Sequence, residues 1–211
     1  PIPRRHVPRR SLPMEPMQTE ERRLTVERNV PVDALYMAFH MCSRNHPDYY
    51  AFDMLSDLLS SGRSSRFVQH LVQDKQIFNS IDAYISGSID NGLFHIVGKP
   101  APEKTLEEAE KAIWEELALL TEGSIDENEL EKVKNRYESE QIFNNLNYLN
   151  VATNLAYFEL IGKAEDINTE VEKYRSVTQE QIKRAAKQTF LPENCSVLYY
   201  KAAAKGASHT P

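Results

Sequence analysis

Two cysteines in 211 residues cannot build a disulfide framework. Cys42 ends one apolar run and Cys195 sits near another, so both read as small buried hydrophobes. No Cys-x-x-Cys spacing occurs. Basic residues are not in excess: 25 Lys and Arg stand against 31 Asp and Glu, for a net charge of −6. No patch is basic enough to track a phosphate backbone, which excludes nucleic acid as a partner. No apolar run approaches the roughly 20 residues that a membrane-spanning helix needs, so no membrane insertion is expected. The opening Pro1-Ile2-Pro3-Arg4-Arg5 has neither an initiator Met nor the form of a signal peptide. It reads as the interior of a longer chain and leaves the compartment open. The triplet Asn194-Cys195-Ser196 is sequon-like, of a kind common by chance.

The usual chemical signatures are missing too. The six histidines are His6, His40, His46, His70, His95 and His209, and none falls in a His-x-x-Glu-His or His-x-x-His spacing. A zinc site needs three or four ligands converging at about 2.0–2.3 Å, and nothing local supplies them. His95, between Phe94 and Ile96, reads as a packed or solvent-facing strand histidine. His70 stands four residues before Asp74, the spacing of a surface pair on a helix. No phosphate-binding glycine loop is present, and Gly98-Lys99-Pro100 lacks the other glycines such a cradle uses. No Gly-x-Ser-x-Gly elbow occurs. The acidic stretches 103–116 and 126–140 are interleaved with lysines and read as solvated helix faces rather than catalytic carboxylate pairs.

What is present is a soluble globular composition, 41% hydrophobic and 27% charged. Residues 1–19 hold five prolines and four arginines without periodicity and are expected to form an extended linker. Residues 202–211 are expected to be a flexible tail. Between them, residues 20–201 read as one domain. Strands are expected at 21–29 and 33–42. In the second, Leu35, Met37, Phe39 and Met41 alternate with Tyr36, Ala38 and His40, and Asn29-Val30-Pro31-Val32 supplies the turn. A helix follows from Pro47 to Ser61, with Tyr50, Met54, Leu55, Leu58 and Leu59 on one face. Gly62 ends it, since glycine takes positive φ without steric cost. Ser64 or Ser65 is placed to cap a further helix over 65–75, with Phe67, Val68, Leu71 and Val72 on its apolar face. A strand pair is expected at 77–86 and 91–99. Capping boxes stand at Thr105/Glu108, Ser124/Glu127 and Thr178/Gln181. The first opens a helix carrying Leu106, Ala109, Ile113, Leu117 and Leu120. The second opens a long helical region over 126–161, broken near 144–154. The third precedes helix 179–190, and a strand at 195–201 closes the chain. Hairpins and runs of helices, without strict β-α-β alternation, predict an α+β fold: an antiparallel sheet with helices packed on one face.

Leu58-Leu59-Ser60-Ser61-Gly62-Arg63-Ser64-Ser65-Arg66-Phe67, followed by Leu71-Val72-Gln73-Asp74-Lys75, resembles the helix–glycine–helix segment of insulinase/pitrilysin-type zinc peptidases and the mitochondrial processing peptidase. The motif rests on Gly62, Ser64, Ser65, Arg66, Leu71 and Lys75. Asp53 in the preceding helix, Gly92-Leu93-Phe94-His95-Ile96, and Glu127-Asn128-Glu129-Leu130-Glu131-Lys132-Val133-Lys134 agree in order, and the likeness spans about residues 20–200. The resemblance implies the metal-free second unit of that fold, a wall of a clam-like chamber around a peptide substrate. It implies no cofactor and no catalytic residue in this chain. Zinc is expected in an upstream domain, and the implied partners are that domain and a second peptidase half or subunit. Ile2-Pro3-Arg4-Arg5 resembles the end of the first unit and the linker leaving it.

One departure from the family pattern is informative. Where the metal-free unit assists catalysis, relatives carry an Arg and, seven residues later, a Tyr that contact substrate. The equivalent positions here are Val72 and Asn79, which supply neither a cationic donor nor a phenol. This places the chain beside a zinc-bearing unit whose Arg and Tyr come from the opposite half. A scaffold role is the alternative, since core subunits of a respiratory complex keep this fold with little or no peptidase activity. A stand-alone binding module fits poorly with the linker-like start.

Overall fold

The computed structural model describes residue 13 and residues 15–203. The expected tail from 204 onward, and most of the expected linker, lie outside the described residues. Strands β1 (Arg22–Arg28), β2 (Ala34–Ser43), β3 (Phe78–Ser86), β4 (Asn91–Pro100) and β5 (Cys195–Ala202) form a single sheet in the order β1-β5-β2-β4-β3. The α+β class is as expected, but the sheet is not wholly antiparallel. β1 and β2 do not pair. β5 returns from the last helix and inserts between them, antiparallel to β2 and therefore parallel to β1. The Asn29–Val32 turn reverses the chain without closing a two-stranded hairpin.

The period of two along β2 sets the layers. Leu35, Met37, Phe39 and Met41 are buried and face helices α1 (Tyr49–Ser60), α2 (Leu106–Glu122) and α6 (Gln179–Thr189). Phe94 and Ile96 of β4, Ile81 and Ala83 of β3, and Val197 and Tyr199 of β5 complete that apolar face. Phe190 wedges its ring edge-on against Phe39 at 5.2 Å and Phe94 at 5.1 Å. The α2 stripe Leu106, Ala109, Ile113, Leu117 and Leu120 is buried throughout. Each fully buried Leu or Ile contributes roughly 1.5–3 kcal/mol, so the helix-bearing face of the sheet holds most of the fold's stability.

The helix boundaries follow capping chemistry, with one correction. The capping boxes at Thr105/Glu108 and Thr178/Gln181 are both formed. Ser124 caps nothing. Helix α3 (Glu127–Asn144) starts from Asp126, whose carboxylate accepts from the Asn128 amide at 2.9 Å. An ionised acceptor also suits the positive end of the helix better than a hydroxyl. The helical region breaks at 145–147, within the expected stretch. Asn147 then caps α4 (Tyr148–Ile161) by accepting from the Leu149 amide at 2.9 Å. A 3-10 turn (Ala164–Thr169) and the short helix α5 (Glu170–Arg175) follow, neither of them anticipated by periodicity. Within the expected linker, Gln18 is buried, donating to the Cys195 carbonyl at 2.8 Å and accepting from the Ser196 hydroxyl at 3.2 Å.

Candidate functional site

The segment after α1 is built around Gly62, whose φ of +86° lies in the region that favours glycine. It does end the helix, as its sequence position predicts. Ser65 does not cap the next helix. Its hydroxyl turns back and donates to the Gly62 carbonyl at 2.8 Å. Ser64 and Arg66 fasten the turn to α3. Lys132 donates to the Ser64 hydroxyl at 2.9 Å, and the Arg66 fork grips both oxygens of Glu129 at 2.9 Å each.

The following helix, Phe67–Asp74, has π rather than α geometry, with the Lys75 amide donating to the His70 carbonyl five residues back. Wider turns take His70 and Asp74 off a common face. His70 therefore pairs with the buried Glu116 of α2, Nδ1 to Oε1 at 2.9 Å, and not with Asp74. Leu71 and Phe67 are fully buried, Val68 and Val72 half-buried. Lys75 lies 3.4 Å from Glu115. Val72 thus sits late in the π-helix with its side chain against the core. Asn79 is exposed on β3, at an irregularity of the pairing with β4, along an edge of the sheet. Neither offers a charged donor.

No metal centre arises from the described residues, among which no group of three or more His, Cys, Asp or Glu is placed to hold an ion. His40 stands near Glu15 at 3.9 Å, His46 near Asp48 at 3.8 Å, and His70 against Glu116. His95 stacks on Tyr84 with ring centroids 4.9 Å apart, and burial lowers its pKa. No three such ligands converge among the described residues, so zinc finds no fit there. The cysteines are free, Cys195 buried and Cys42 half-buried. Burial pushes their thiols up to about 12 and about 11, which makes both poor nucleophiles.

Two surfaces escaped the sequence reading. One is the sheet face away from the helices. Register places Leu24, Leu198, Tyr36 and Val97 in one row across four strands, with Ala38, His95 and Tyr84 in the next. A groove of about 430 Å³ runs over this face. The other is the arm formed by the end of α3 and by α4. Phe143, Leu146, Tyr148, Leu149 and Leu160 are each at least 71% exposed. Only Phe158 of α4 is buried. The available signal was charge: Glu159 is the one residue charged at neutral pH among the 14 of α4, too few for a solvated helix.

A five-stranded sheet with helices on one side and a glycine-turned helix pair make up an α+β unit, and no metal centre forms among its described residues. The chain belongs to the peptidase M16 inactive domain family, whose pattern matches residues 2–137. An uncharacterized zinc protease, YmxG of Bacillus subtilis, is 25% identical over 179 residues, covering 84% of this chain and 43% of YmxG. The crystal structure of a protease from Helicobacter pylori superposes with a TM-score of 0.83 at 22% identity, over 88% of this chain and 45% of that one. A Bordetella parapertussis chain described as an inactive peptidase domain gives a TM-score of 0.73 at 16% identity, over 83% of this chain and 95% of that one. The chain spans less than half the length of the curated relatives it matches.

Proposed function

We propose that this chain is the non-catalytic wall of a zinc endopeptidase: a unit that docks on a zinc-bearing neighbour in the same polypeptide and helps enclose a peptide substrate. The observation that carries the reading is the pair of apolar surfaces that the described residues leave bare, the helix-free sheet face and the α3–α4 arm. Water penalises both, at roughly 25 cal/mol per Å² of apolar surface left exposed. Relatives more than twice as long supply a neighbour of the right size to cover them. The identity of Val72 and Asn79 supports a further point. Val72 has no donor and Asn79 only a neutral amide, in place of a cation and a phenol, so the Arg and Tyr for that task come from an opposing half or subunit.

The test is cleavage of a quenched fluorescent peptide by the parent polypeptide, with and without candidate partner halves. The parent alone retains zinc but turns over on the order of 10²–10³-fold more slowly than the assembled pair, the scale for removing oxyanion-type donors. The double change Val72→Arg and Asn79→Tyr does not restore the rate, because those side chains face the wrong half of the chamber. Full activity from the parent alone, without self-association, would overturn the assignment of Val72 and Asn79. A parent that holds no zinc would favour the scaffold role.

A further inference from the structure

Helix α1 carries two acidic side chains one turn apart, Asp53 and Asp57, on the side covered by α3 and α5. Asp53 accepts a hydrogen bond from the Tyr174 hydroxyl of α5. The Tyr174 ring stacks on Tyr137 of α3 with centroids 3.6 Å apart and meets Tyr50 edge-on at 5.0 Å. Tyr50 donates to Glu170 at 3.1 Å, and Glu170 pairs with the buried Arg44 at the end of β2. Lys173 of α5 lies 3.8 Å from Glu170 at the rim. Tyr49 packs its ring on Arg44, centroid to guanidinium carbon 4.4 Å, and also faces Asp53 and Tyr157 of α4. Arg136 of α3 faces Asp57, but it is shared with Glu140 at 2.8 Å.

The charges do not balance. Asp53, Asp57 and Glu170 confront one buried cation, Arg44, and Glu170 already claims it. Two like charges one turn apart, with little water between the helices, cannot both ionise cheaply. Burial, and then the neighbouring Asp53, push Asp57 up to about 6, and burial raises Asp53 as well.

The lid over this pair is tied firmly only near its N-terminal end, where Arg66 grips Glu129 and Lys132 reaches Ser64. Among its 18 residues α3 buries only Leu130 and Val133, with Tyr137 half-buried. Its other ties to α5 are exposed, from Arg175 to Glu131 at 2.7 Å and to Glu138 at 2.8 Å. The α4 arm hangs from its end.

We propose that Asp53 and Asp57 form a proton-operated latch: a proton held by the pair keeps α3 closed on α1, and its loss loosens α3 together with the α4 arm. Opening α3 hydrates Asp57 and returns it towards its ordinary value of 3.8. The folded value lies above the open one, so the latch is complete below pH 3.8 and is lost as pH rises through about 6. The gap sets a ceiling of about a hundredfold on the opening equilibrium; Asp57 keeps some access to water, which reduces this to roughly tenfold.

Amide hydrogen exchange on the 211-residue chain at pH 5 and pH 7.5 reads the latch directly. After correction for base catalysis, α3 amides lose about threefold to fivefold in protection between the two, since part of the tenfold is already lost at pH 5. They stay less protected than β2 and β4 amides throughout, and Asp57→Asn holds them at the pH 5 level. Carboxyl carbon NMR on the unaltered chain gives the same answer without a variant, with Asp57 titrating near 6. Unchanged α3 protection would overturn the proposal. So would α3 amides that exchange at the same rate as those of β2 and β4, since the helix would then never open by itself. An Asp57 that titrates at its ordinary value would also overturn it.

Discussion

At Gly62 a single missing Cβ decides a turn. The φ of +86° costs an L side chain energy by itself, and a Cβ there would meet the Arg136 guanidinium at 3.1 Å. That side chain can swing away, so backbone strain is the larger part of the cost. Gly62→Ala is expected to destabilise the domain by about 1 kcal/mol, read as a lower midpoint in thermal melts. An unchanged midpoint would mean that the turn can be built another way. This position was legible in the sequence because glycine has few reasons to stand just past a helical stripe. Gln76, which takes φ +50° two residues past the π-helix, was not legible. A glutamine carries no local sign of a left-handed backbone, and the conformation follows from Ile77 donating to the Leu71 carbonyl at 2.8 Å.

Elements were readable to the extent that their signals are local. Alternation announced β2, and the α2 stripe and two of the three capping boxes formed as their spacing implied. The Thr178 box begins the helix that carries Ile182, Ala185 and Ala186 into the core. Thr178→Ala is therefore expected to cost about 1 kcal/mol, and Thr178→Ser much less, in urea titrations of the domain. Equal losses from both would show that the methyl group, not the hydroxyl, carries the effect. Ser124 misled because a capping box is a pattern of residue types, and an aspartate two positions on competes for the same role. The π geometry of Phe67–Asp74 had no local signal. It follows from packing Phe67 and Leu71 inward while Ser64, Arg66 and His70 reach α2 and α3.

The described residues leave two apolar surfaces bare. Kept apart from its neighbour, the chain is expected to self-associate through them at micromolar concentration. Sedimentation velocity should show the weight-average mass rising with concentration. Leu149→Glu with Leu160→Glu should lower that mass without lowering the melting midpoint, since both side chains are 72% exposed. A midpoint that falls by several degrees would mean that these leucines pack within the chain.

The sequence by itself determined the class of fold, the helix stripes and caps, the glycine turn, and the likeness to a metal-free peptidase unit. All of these depend on residues within a few positions of one another, where backbone sterics, capping and periodicity act. Only the tertiary structure decided that β5 divides β1 from β2, that one sheet face is bare, and that His70 answers to Glu116. It alone gathered Arg44, Asp53, Asp57, Glu170 and Tyr174, joined by contacts that span up to 126 residues. Strand order and buried charge are settled by which distant surfaces exclude water together, and no local run of residues encodes that.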